Sequence, residues 1–323
     1  MIDTAVIILN WNGREHLDLC LRSVYQQTYS KYQVVFVDNG SSDKSVDFVE
    51  AKFSSATIIR NRKNYGFAEG NNIGIRQALH NQDIKYIVTL NNDTEVHPDW
   101  LKYLMETAAN DEKIGAVSSK MLFFDQRNVI DSAGDFLMSG SLKTVTRGYR
   151  EEDIGQYNKT EECFSARAGA ALYRRQMLEE IVLDDEYFDS HFFAYVEDTD
   201  LSIRARLAGW KIVYEPKAIV YHKVAATTKL ISHDFRRYQS GRNRIFTAIK
   251  NFPVRLWPLA IRNTKSVDED YQMSVIEELK LFLRIAGSVL ISLPRLLSQR
   301  KKIRSASTVS SGELYSWIKK FSI

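Results

Sequence analysis

The sequence predicts an α/β fold in which a Rossmann-like, mostly parallel central sheet is flanked by helices and followed by a helical C-terminal extension. Two observations predict this fold. In the first hundred of its 323 residues, four short apolar runs rich in β-branched side chains alternate with segments whose apolar residues recur at helical spacing. Three of those runs end abruptly in Asn or Asp, as strands do at the edge where parallel sheets bind ligands.

Composition favours one large globular unit in a reducing compartment. Of the residues, 44% are hydrophobic and 26% are charged, and only two are cysteines, Cys20 and Cys163. They form no CxxC pair, so neither a zinc site nor a disulfide scaffold is indicated. The first residues lack a basic segment and turn polar at Asn10, which predicts a first strand and not a signal peptide. We therefore predict a cytoplasmic protein.

Charge is unevenly distributed along the chain. Residues 1–228 carry 26 Lys and Arg against 33 Asp and Glu, a net −7, whereas residues 229–265 carry 9 against 1, a net +8. Residues 266–291 add −3 and residues 292–323 add +6. A basic tail of this kind suits an anionic membrane surface, a phosphorylated lipid or nucleic acid. We expect no nucleic-acid partner, because it would leave the acidic clusters described below unexplained.

The first three predicted strands each lead into a polar turn and a helix. These strands cover residues 6–9, 34–37 and 57–60. After the first strand, Asn12 is predicted to cap a helix while Glu15 reaches back as in a capping box. The second strand ends at Asp38. Beyond the third strand, three glycines let the backbone approach a neighbouring strand or a phosphate: Gly66, Gly70 and Gly74.

The first turn argues against two large classes of nucleotide-binding enzyme. A dinucleotide oxidoreductase would carry GxGxxG directly after the first strand, where this chain has Asn10-Trp11-Asn12-Gly13. A P-loop would need GxxxxGK followed by Ser or Thr, and the sequence has no such motif.

The fourth predicted strand, residues 86–90, carries the first candidate for substrate contact. This apolar run continues into Asn91-Asn92-Asp93 and so delivers a carboxylate to the edge of the sheet. We expect Asp93 to contact a substrate or a metal. Asn and Asp are also ordinary turn residues after a strand, and that alternative stays open here.

A second acidic cluster follows an aromatic stretch. Glu197, Asp198 and Asp200 open a predicted helix directly after residues 187–196. Acids in a first helical turn also complement the helix dipole, which is the alternative for Asp200. Adjacent carboxylates beside apolar rings gain proton affinity, as a general base requires, and this favours a catalytic role for Glu197 and Asp198.

The other predicted elements are a helix, three strands and a flap. They cover residues 100–109 (helix), 114–118, 210–216 and 219–222 (strands) and, within the less regular segment 121–165, residues 150–162 (a loop-like flap). His222 ends the last strand. A lone histidine there is usually structural, and it becomes a candidate metal ligand only beside a carboxylate.

These motifs, in their order along residues 3–225, resemble those of the family 2 inverting glycosyltransferases with the GT-A fold, in the rhamnosyltransferase-like branch. The motifs are residues 10–13, 38–43, 64–74, 90–94, 169–171, 192–201 and His222. The chain departs from the family pattern at Asn91 and Asn92, where many relatives carry acids, and this weakens the expected metal site.

The resemblance implies roles for the matching residues. Asp198 would be the catalytic base, with Glu197 and Asp200 as supporting acids. Asp93 and His222 would hold a divalent metal, Mg²⁺ or Mn²⁺. The donor-binding residues would be Asn10, Asp38, Asn64, Gly70, Asn71, Asn91, Asn92 and Asp93.

The resemblance also implies an activity and a domain layout. Residues 1–228 would be the catalytic domain, with a nucleotide-sugar-binding half at 1–120 and an acceptor-binding half at 121–228. The enzyme would transfer a sugar, rhamnose from dTDP-rhamnose or another sugar from a UDP donor, to a cell-surface polysaccharide or a polyprenyl-diphosphate-linked saccharide. A sugar-1-phosphate nucleotidyltransferase is the alternative enzyme, but it would want a glycine-rich loop bearing Lys or Arg after the first strand.

The basic extension, residues 229–323, predicts a contact with phosphate or membrane. Arginines in residues 236–244 would clamp the diphosphate of a lipid-linked acceptor, or else form a solvated helix face. Residues 275–297 predict an amphipathic helix whose uncharged run, 285–294, is shorter than the roughly 20 residues of a membrane span. We therefore predict an interfacial helix with a polybasic patch on the inner face of the cytoplasmic membrane, with a homodimer contact or a core-covering helix as the alternatives.

Overall fold

The computed structural model describes residues 1–223, 232–261 and 273–323, with the side chain of Ser311 left aside. The predicted boundary between the catalytic domain and the extension, at residues 228 and 229, lies outside the described residues.

Within the described residues, ten strands form one sheet and two more form a separate hairpin-like pair. The strands are β1 (Thr4–Asn10), β2 (Tyr32–Asp38), β3 (Thr57–Arg60), β4 (Tyr86–Asn91), β5 (Thr94–Val96), β6 (Ile114–Phe123), β7 (Ile130–Ser132), β8 (Asp135–Leu137), β9 (Thr144–Thr146), β10 (Glu161–Glu162), β11 (Ala170–Arg174) and β12 (Lys211–His222). The helices are α1 (Arg14–Tyr25), α2 (Ser45–Lys52), α3 (Gly66–Leu79), α4 (Trp100–Ala109), α5 (Arg175–Ile181), α6 (Glu197–Leu207), α7 (His233–Asn251), α8 (Trp257–Ile261), α9 (Val275–Ala306) and α10 (Ser311–Lys320).

The sheet confirms the predicted mostly parallel, Rossmann-like topology. Its order is β10-β12-β6-β11-β4-β1-β2-β3, with β1 to β4 parallel and β11 antiparallel between β4 and β6. In register, Asn10 lies opposite Asp38 and Leu9 lies opposite Asn91. The polar ends of three strands therefore meet at one edge of the sheet, as expected of parallel strands.

Two apolar layers cover the faces of the sheet. Alternate residues of β1 point to opposite faces, so Val6 and Ile8 pack with residues of α1 and α4, whereas Ala5 and Ile7 pack with residues of α3 and α6. Strands covered on both faces explain the nearly continuous apolar runs in the sequence.

The predicted capping box at the start of α1 is wrong. The residue before α1 is Gly13, no side chain caps the helix, and Asn12 adopts φ 50°. Instead, the loop after β2 reaches α1, and Arg14 N donates to Asp43 Oδ2 at 2.8 Å. A Cβ on Gly13 would lie 2.0 Å from Asn92 Nδ2, so only glycine fits where this turn meets the end of β4.

The segment 121–165 joins the sheet through β7 and β10. Residues 150–160 contain no named strand or helix, which agrees with the predicted loop-like stretch 150–162 up to β10 at its end, and a movement of this stretch as a flap stays a prediction. The whole segment contains β7 to β10, and Ile130 N donates to Glu151 O at 2.8 Å. Lys120, whose side chain is 3% exposed, pairs with Asp153 at 2.5 Å. The predicted division at residue 120 falls inside β6, while the assignment of its two sides to donor and acceptor stays a prediction.

The basic extension is docked on the acidic body. Lys250 Nζ lies 2.7 Å from Asp189 Oδ2 and 3.0 Å from Asp200 Oδ2, and Arg295 also pairs with Asp189. Phe321 is buried and packs against Phe164. The charge asymmetry of the sequence is therefore partly internal, since Lys250 and Arg295 pair with acids of the body. The membrane-facing polybasic patch stays a prediction.

The long helix α9 differs from its prediction in length. It has 32 residues, and an 18-residue window within it has a mean hydropathy of 1.5 with 6% of the window buried. By length and composition it is long and apolar enough to cross a membrane, so the prediction that it is too short is wrong. That prediction counts only the uninterrupted uncharged run, residues 285–294, and not the apolar residues on either side of it. Leu296 and Ile303 cover the core, whereas Phe282 and Ile291 are exposed.

Candidate active site

A cavity of about 1060 Å³ opens at the polar edge of the sheet. Asp93, at the end of β4, and Asp198, in the first turn of α6, both line it. The expectation that these two acidic clusters share one cleft therefore holds in the structure. The predicted site residues that line the cavity are Asn64, Asn91, Asn92, Asp93, Glu197, Asp198 and His222.

The ends of β4 and β12 bring Asp93 and His222 together. Asp93 Oδ1 lies 3.4 Å from His222 Nε2 and is buried without a hydrogen-bond partner. On the other side of the imidazole, Nδ1 lies 2.9 Å from Asp131 Oδ2. His222 is thus held between two carboxylates.

This arrangement shifts the pKa values of His222 and Asp131. Burial by itself lowers the pKa of His222, but the hydrogen bond with Asp131 and the proximity of the Asp93 carboxylate outweigh it and raise the pKa to about 9. Burial alone raises the pKa of Asp131, but the hydrogen bond with His222 and the charge of Arg167 reverse the effect and lower it.

Glu197 and Asp198 lie buried at the start of α6. Burial, followed by the charge of Asp198, raises the pKa of Glu197 well above its usual value, and its Oε2 has no hydrogen-bond partner. Burial also raises the pKa of Asp198, although Ala168 N donates to Asp198 Oδ2 at 3.2 Å. Thr199 N also donates to Asp198 Oδ1 at 2.7 Å. A carboxylate with increased proton affinity, anchored by two backbone N–H groups, suits a general base.

Sequence reasoning missed three charged residues of the site: Asp131, Asp135 and Arg167. All three line the cavity, and the Arg167 guanidinium lies 3.5 Å from Asp131 and 3.7 Å from Asp135. Burial raises the pKa of Asp135 to about 6 against the opposing charge of Arg167. Their signal was weak because the acids lie in the segment interpreted as irregular, where no strand end marked them.

Four of the predicted donor-binding residues lie behind the cavity wall. Asn10 is fully buried and bonds Asp38, Ser41 and Asn92. Gly70 packs against β1, since a Cβ there would lie 2.5 Å from Leu9 Cδ1. The residues concerned are Asn10, Asp38, Gly70 and Asn71. These four residues support the wall and do not line the cavity, and their contact with a donor stays a prediction.

Asn39, which was not predicted, holds part of that wall. Its amide nitrogen donates to Asn64 Oδ1 and to Gly66 O, each at 3.0 Å, and its oxygen accepts from Asn61 Nδ2 at 3.0 Å. Asn39 lines the cavity beside Leu9 and Trp11. Asn39 directly follows Asp38. The sequence analysis selected Asp38 because that residue ends the predicted strand, whereas the residue that lines the cavity is the next one.

Asp200, predicted as a supporting acid, does not line the cavity, and its role in catalysis stays a prediction. It is fully buried outside the cavity lining, and it pairs with Arg204 at 3.0 Å and with Lys250 at 3.0 Å. Asn251 also donates to its Oδ1 at 2.8 Å. Asp200 follows Asp198 by two residues, which turns its side chain by about 200° around the helix axis. It therefore contacts Lys250 and Asn251 of α7 and anchors the extension.

The loop before α6 adopts a strained backbone. Phe193, Tyr195 and Val196 have φ of 60°, 72° and 72°, a region that β-branched and bulky residues rarely adopt. Phe193 and the residues up to Asp198 line the cavity. Asn243 of α7 lies against this loop and donates to its carbonyl oxygens. The extension therefore helps shape the site.

Asp93 and His222 fit the predicted divalent metal. A buried carboxylate oxygen without a hydrogen-bond partner faces an imidazole nitrogen, and both donor types suit Mg²⁺ or Mn²⁺. Asp131 would orient the imidazole from behind. Another cluster of possible ligands, Glu186, Asp189 and His191, lies outside the cavity lining, and its Asp189 is already paired with Lys250.

Comparison with known proteins identifies the family of this chain. The family model described as "Glycosyl transferase family 2" matches residues 5–182. The chain belongs to glycosyl transferase family 2. Membership confirms the family suggested by the ordered motifs, and the matched residues include β1 to β4 and Asp93.

One relative of this family 2 member is, by name, a polysaccharide synthase. The poly-β-1,6-N-acetyl-D-glucosamine synthase of Staphylococcus aureus is 25% identical over 219 residues, which cover 67% of this chain and 49% of the synthase. The chain thus spans about half the length of that relative.

Solved structures share the fold of this family 2 member. TarS residues 1–349 of S. aureus, in complex with UDP, match with a TM-score of 0.59 and 14% identity over 99% of this chain and 89% of TarS. The mannosyltransferase PcManGT of Pyrobaculum calidifontis, with GDP-Man and Mn²⁺, matches with a TM-score of 0.53 and 17% identity over 97% of this chain and 78% of PcManGT. The predicted fold class is confirmed.

Proposed function

We propose that this protein is an inverting glycosyltransferase that transfers a sugar from a nucleotide-sugar donor to a glycan or polyprenyl-diphosphate-linked saccharide. The observation that carries the proposal is the shared cavity lined by Asp93 with His222 on one side and by Asp198 on another. The group that holds the leaving diphosphate and the base that deprotonates the acceptor act on opposite sides of the same anomeric carbon. Both must therefore lie in one cavity.

In this proposal, Asp93 and His222 hold the divalent metal. The metal supplies neutralisation of the charge that develops on the departing diphosphate. Leu9, Trp11 and Asn39, at the ends of β1 and β2, line the part of the cavity assigned to the nucleotide. Complexes of structural neighbours with UDP and with GDP-Man and Mn²⁺ support a donor of this class.

Asp198 is assigned as the base that takes the proton from the acceptor hydroxyl. As that hydroxyl attacks the anomeric carbon from the face opposite the leaving diphosphate, its O–H bond breaks and the proton passes to the Asp198 carboxylate. The raised pKa of Asp198 favours proton uptake, and the hydrogen bond from Ala168 N holds the carboxylate in place. Glu197 lies beside it as the supporting acid.

Donor binding tests this function most directly. Thermal-shift and calorimetric titrations would compare dTDP, UDP and GDP, each with and without Mn²⁺. We expect one nucleotide to bind with metal-dependent affinity, and Asp93→Asn to weaken that binding about tenfold or more. Absence of metal-dependent binding for every nucleotide diphosphate would contradict the proposal. The same comparison decides between dTDP-rhamnose and a UDP-sugar as the donor.

We also propose that the exposed face of α9 binds a membrane. The large apolar side chains on this face are exposed: Ile276, Leu279, Phe282, Leu283, Leu290 and Ile291. Burying this face in the lipid interface would remove it from water. In flotation assays with anionic vesicles, the full chain should float and Phe282→Asp with Ile291→Asp should not. Equal flotation of both would count against the membrane and favour another partner, such as a second copy of the chain.

A further inference from the structure

Asp135 of β8 presents an unused hydrogen-bond acceptor in the cavity. Its side chain is 9% exposed and lines the cavity, and among the described residues its Oδ1 has no hydrogen-bond partner. Arg167 balances the charge of Asp135 but does not satisfy this oxygen, because Nη2 lies 3.7 Å from it, beyond hydrogen-bond distance. A buried carboxylate oxygen without a donor is costly, so it indicates a ligand that supplies one.

Arg167 offers hydrogen-bond donors beside that acceptor. Its side chain is 29% exposed and lines the same cavity. Nη2 donates to Thr146 Oγ1, whereas Nη1 lies 3.5 Å from Asp131 Oδ2, which is longer than a good hydrogen bond. A guanidinium carries five N–H donors, so some of them remain for an oxygen of a ligand.

The pair formed by Asp135 and Arg167 lies beside the proposed base. Arg167 directly precedes Ala168, whose backbone N donates to Asp198 Oδ2 at 3.2 Å. Burial raises the pKa of Asp135 to about 6 against the charge of Arg167, and the charge of Asp198 adds to the rise. The two carboxylates are therefore close enough to interact, and Asp135 is ionised and accepts hydrogen bonds at neutral pH. A group held by this pair would lie next to the hydroxyl that Asp198 deprotonates.

The charges around the pair favour an uncharged ligand. Asp131 is already balanced by His222 on its other side. Asp135 and Asp198 then share the single guanidinium of Arg167. A phosphate or carboxylate group on the ligand would add a further negative charge at this place, and two carboxylates would repel it. Hydroxyl groups carry no charge and both donate and accept hydrogen bonds.

We propose that Asp135 and Arg167 bind two adjacent hydroxyl groups of an uncharged acceptor sugar and so select the sugar that presents its hydroxyl to Asp198. Asp135 accepts a hydrogen bond from one hydroxyl, and Arg167 donates to the oxygen of the next. The inference rests on the proposed function, because it assumes that Asp198 deprotonates an acceptor. It deepens that function by assigning the acceptor unit at the base to neutral sugars.

The experiment measures sugar binding by calorimetry on the full chain loaded with Mn²⁺ and whichever of dTDP, UDP and GDP binds best. The probes are the methyl glycosides of glucose, galactose, N-acetylglucosamine and rhamnose, together with the monodeoxy and monophosphorylated derivatives of the tightest binder. The variants are Asp135→Asn and Arg167→Lys, which keep the shape of the carboxylate and the positive charge respectively. Glu69→Gln and Arg76→Lys, in a matched ion pair of α3 outside the cavity lining, are the controls. Circular dichroism and melting temperature verify that each variant is folded.

We expect at least one glycoside to bind the unaltered chain and its phosphorylated derivative to bind about tenfold more weakly or worse. Asp135→Asn and Arg167→Lys should each weaken glycoside binding about tenfold or more. Nucleotide binding should stay within about twofold, because lysine keeps the charge beside Asp131. Glu69→Gln and Arg76→Lys should change neither.

The monodeoxy derivatives separate direct contact from a structural role. One of them should bind the unaltered chain about tenfold more weakly than the parent glycoside, whereas Asp135→Asn should bind the two almost equally, since the partner of the missing hydroxyl is already altered. A variant that acts only by disturbing the fold would keep the difference between parent and deoxy sugar.

Four results would overturn the subsite: no glycoside binds the unaltered chain, the phosphorylated derivative binds as tightly as its parent, the variants weaken glycoside and nucleotide equally, or Asp135→Asn still distinguishes every deoxy sugar from the parent. The failure of the proposed function looks different. In that case no nucleotide diphosphate binds the unaltered chain with Mn²⁺, whatever Asp135 and Arg167 do.

Discussion

Asn243 Nδ2 lies 2.8 Å from the backbone carbonyl oxygen of Tyr195. The same amide nitrogen lies 2.9 Å from Phe192 O and 3.0 Å from Ala194 O. Asn243 belongs to the C-terminal extension, and the carbonyls belong to the strained loop that leads into Glu197 and Asp198. A fully buried side chain of α7 therefore holds the approach to the proposed base, so the extension is part of the site.

Asn243→Ala is expected to lower kcat about tenfold or more while leaving nucleotide binding nearly unchanged. The alanine removes the donor to three carbonyls and lets a backbone with unfavourable φ relax, which displaces Asp198. Steady-state kinetics and UDP titration measure the two effects separately. Asn128→Ala, at an exposed amide that bonds Glu152, is the control. Unchanged kcat in Asn243→Ala would show that the loop before α6 keeps its conformation without the hydrogen bonds from Asn243.

Asp198→Asn is expected to reduce turnover by about 10²–10⁴, the usual contribution of a general base. The amide keeps the shape of the carboxylate but cannot take up the proton. Donor binding should be retained, because Asp93 and His222 are untouched. Glu197→Gln should have the smaller effect on turnover. An Asp198→Asn protein of normal activity would remove the base from this position.

Lys250→Met is expected to destabilise the fold by about 3–5 kcal/mol, because it leaves Asp189 and Asp200 buried with one partner fewer. Urea unfolding measures the change. Adding Asp200→Asn should restore part of the loss, since it removes one of the unpaired charges. Lys320→Met, which breaks an exposed pair with Glu162, is the control and should cost about 1 kcal/mol or less. Equal effects of the two lysine variants would contradict the buried network.

Stability of the metal-free protein is expected to fall as pH rises toward 9. The pKa of His222 is raised from 6.5 to about 9 in the folded chain, so the protonated imidazole stabilises the fold. That contribution is fully present below pH 6.5 and is lost as pH passes through 9, a change of at most about 3 kcal/mol. Urea unfolding from pH 6 to 9.5 measures it. His222→Gln should reduce the change in the free energy of unfolding between pH 6 and 9.5. An unaltered slope in that variant would show that another group titrates in this range.

Metal-dependent nucleotide binding should show the opposite trend and tighten as pH rises toward 9. A metal ligand must be neutral imidazole, so binding has to displace the proton that His222 shares with Asp131 and Asp93. Calorimetry in buffers of different ionisation enthalpy would detect about one proton released per metal bound. Mn²⁺ binding without proton release would exclude His222 as a ligand.

The sequence alone predicted β1 to β4, β6 and β12, several of the helices that flank them, and the two acidic clusters. Apolar runs covered on both faces have a local signature, and a strand that ends in Asp93 or a helix that begins with Asp198 is visible without tertiary information. The parallel direction of these strands followed from the alternation of strands and helices. These features depend on periods of two and 3.6 residues, which the sequence displays directly.

Only the tertiary structure decided which polar side chains face the cavity. Asp38 and Asn39 are neighbours in sequence, yet Asn39 lines the cavity and Asp38 lies behind its wall. The reason is that successive side chains near the end of a strand point in different directions. Asp131, Asp135 and Arg167 meet through long-range packing that no local period encodes. The docking of α7 places Asn243 beside the loop and Arg244 in the cavity, and its direction depends on buried ion pairs between residues far apart in the chain.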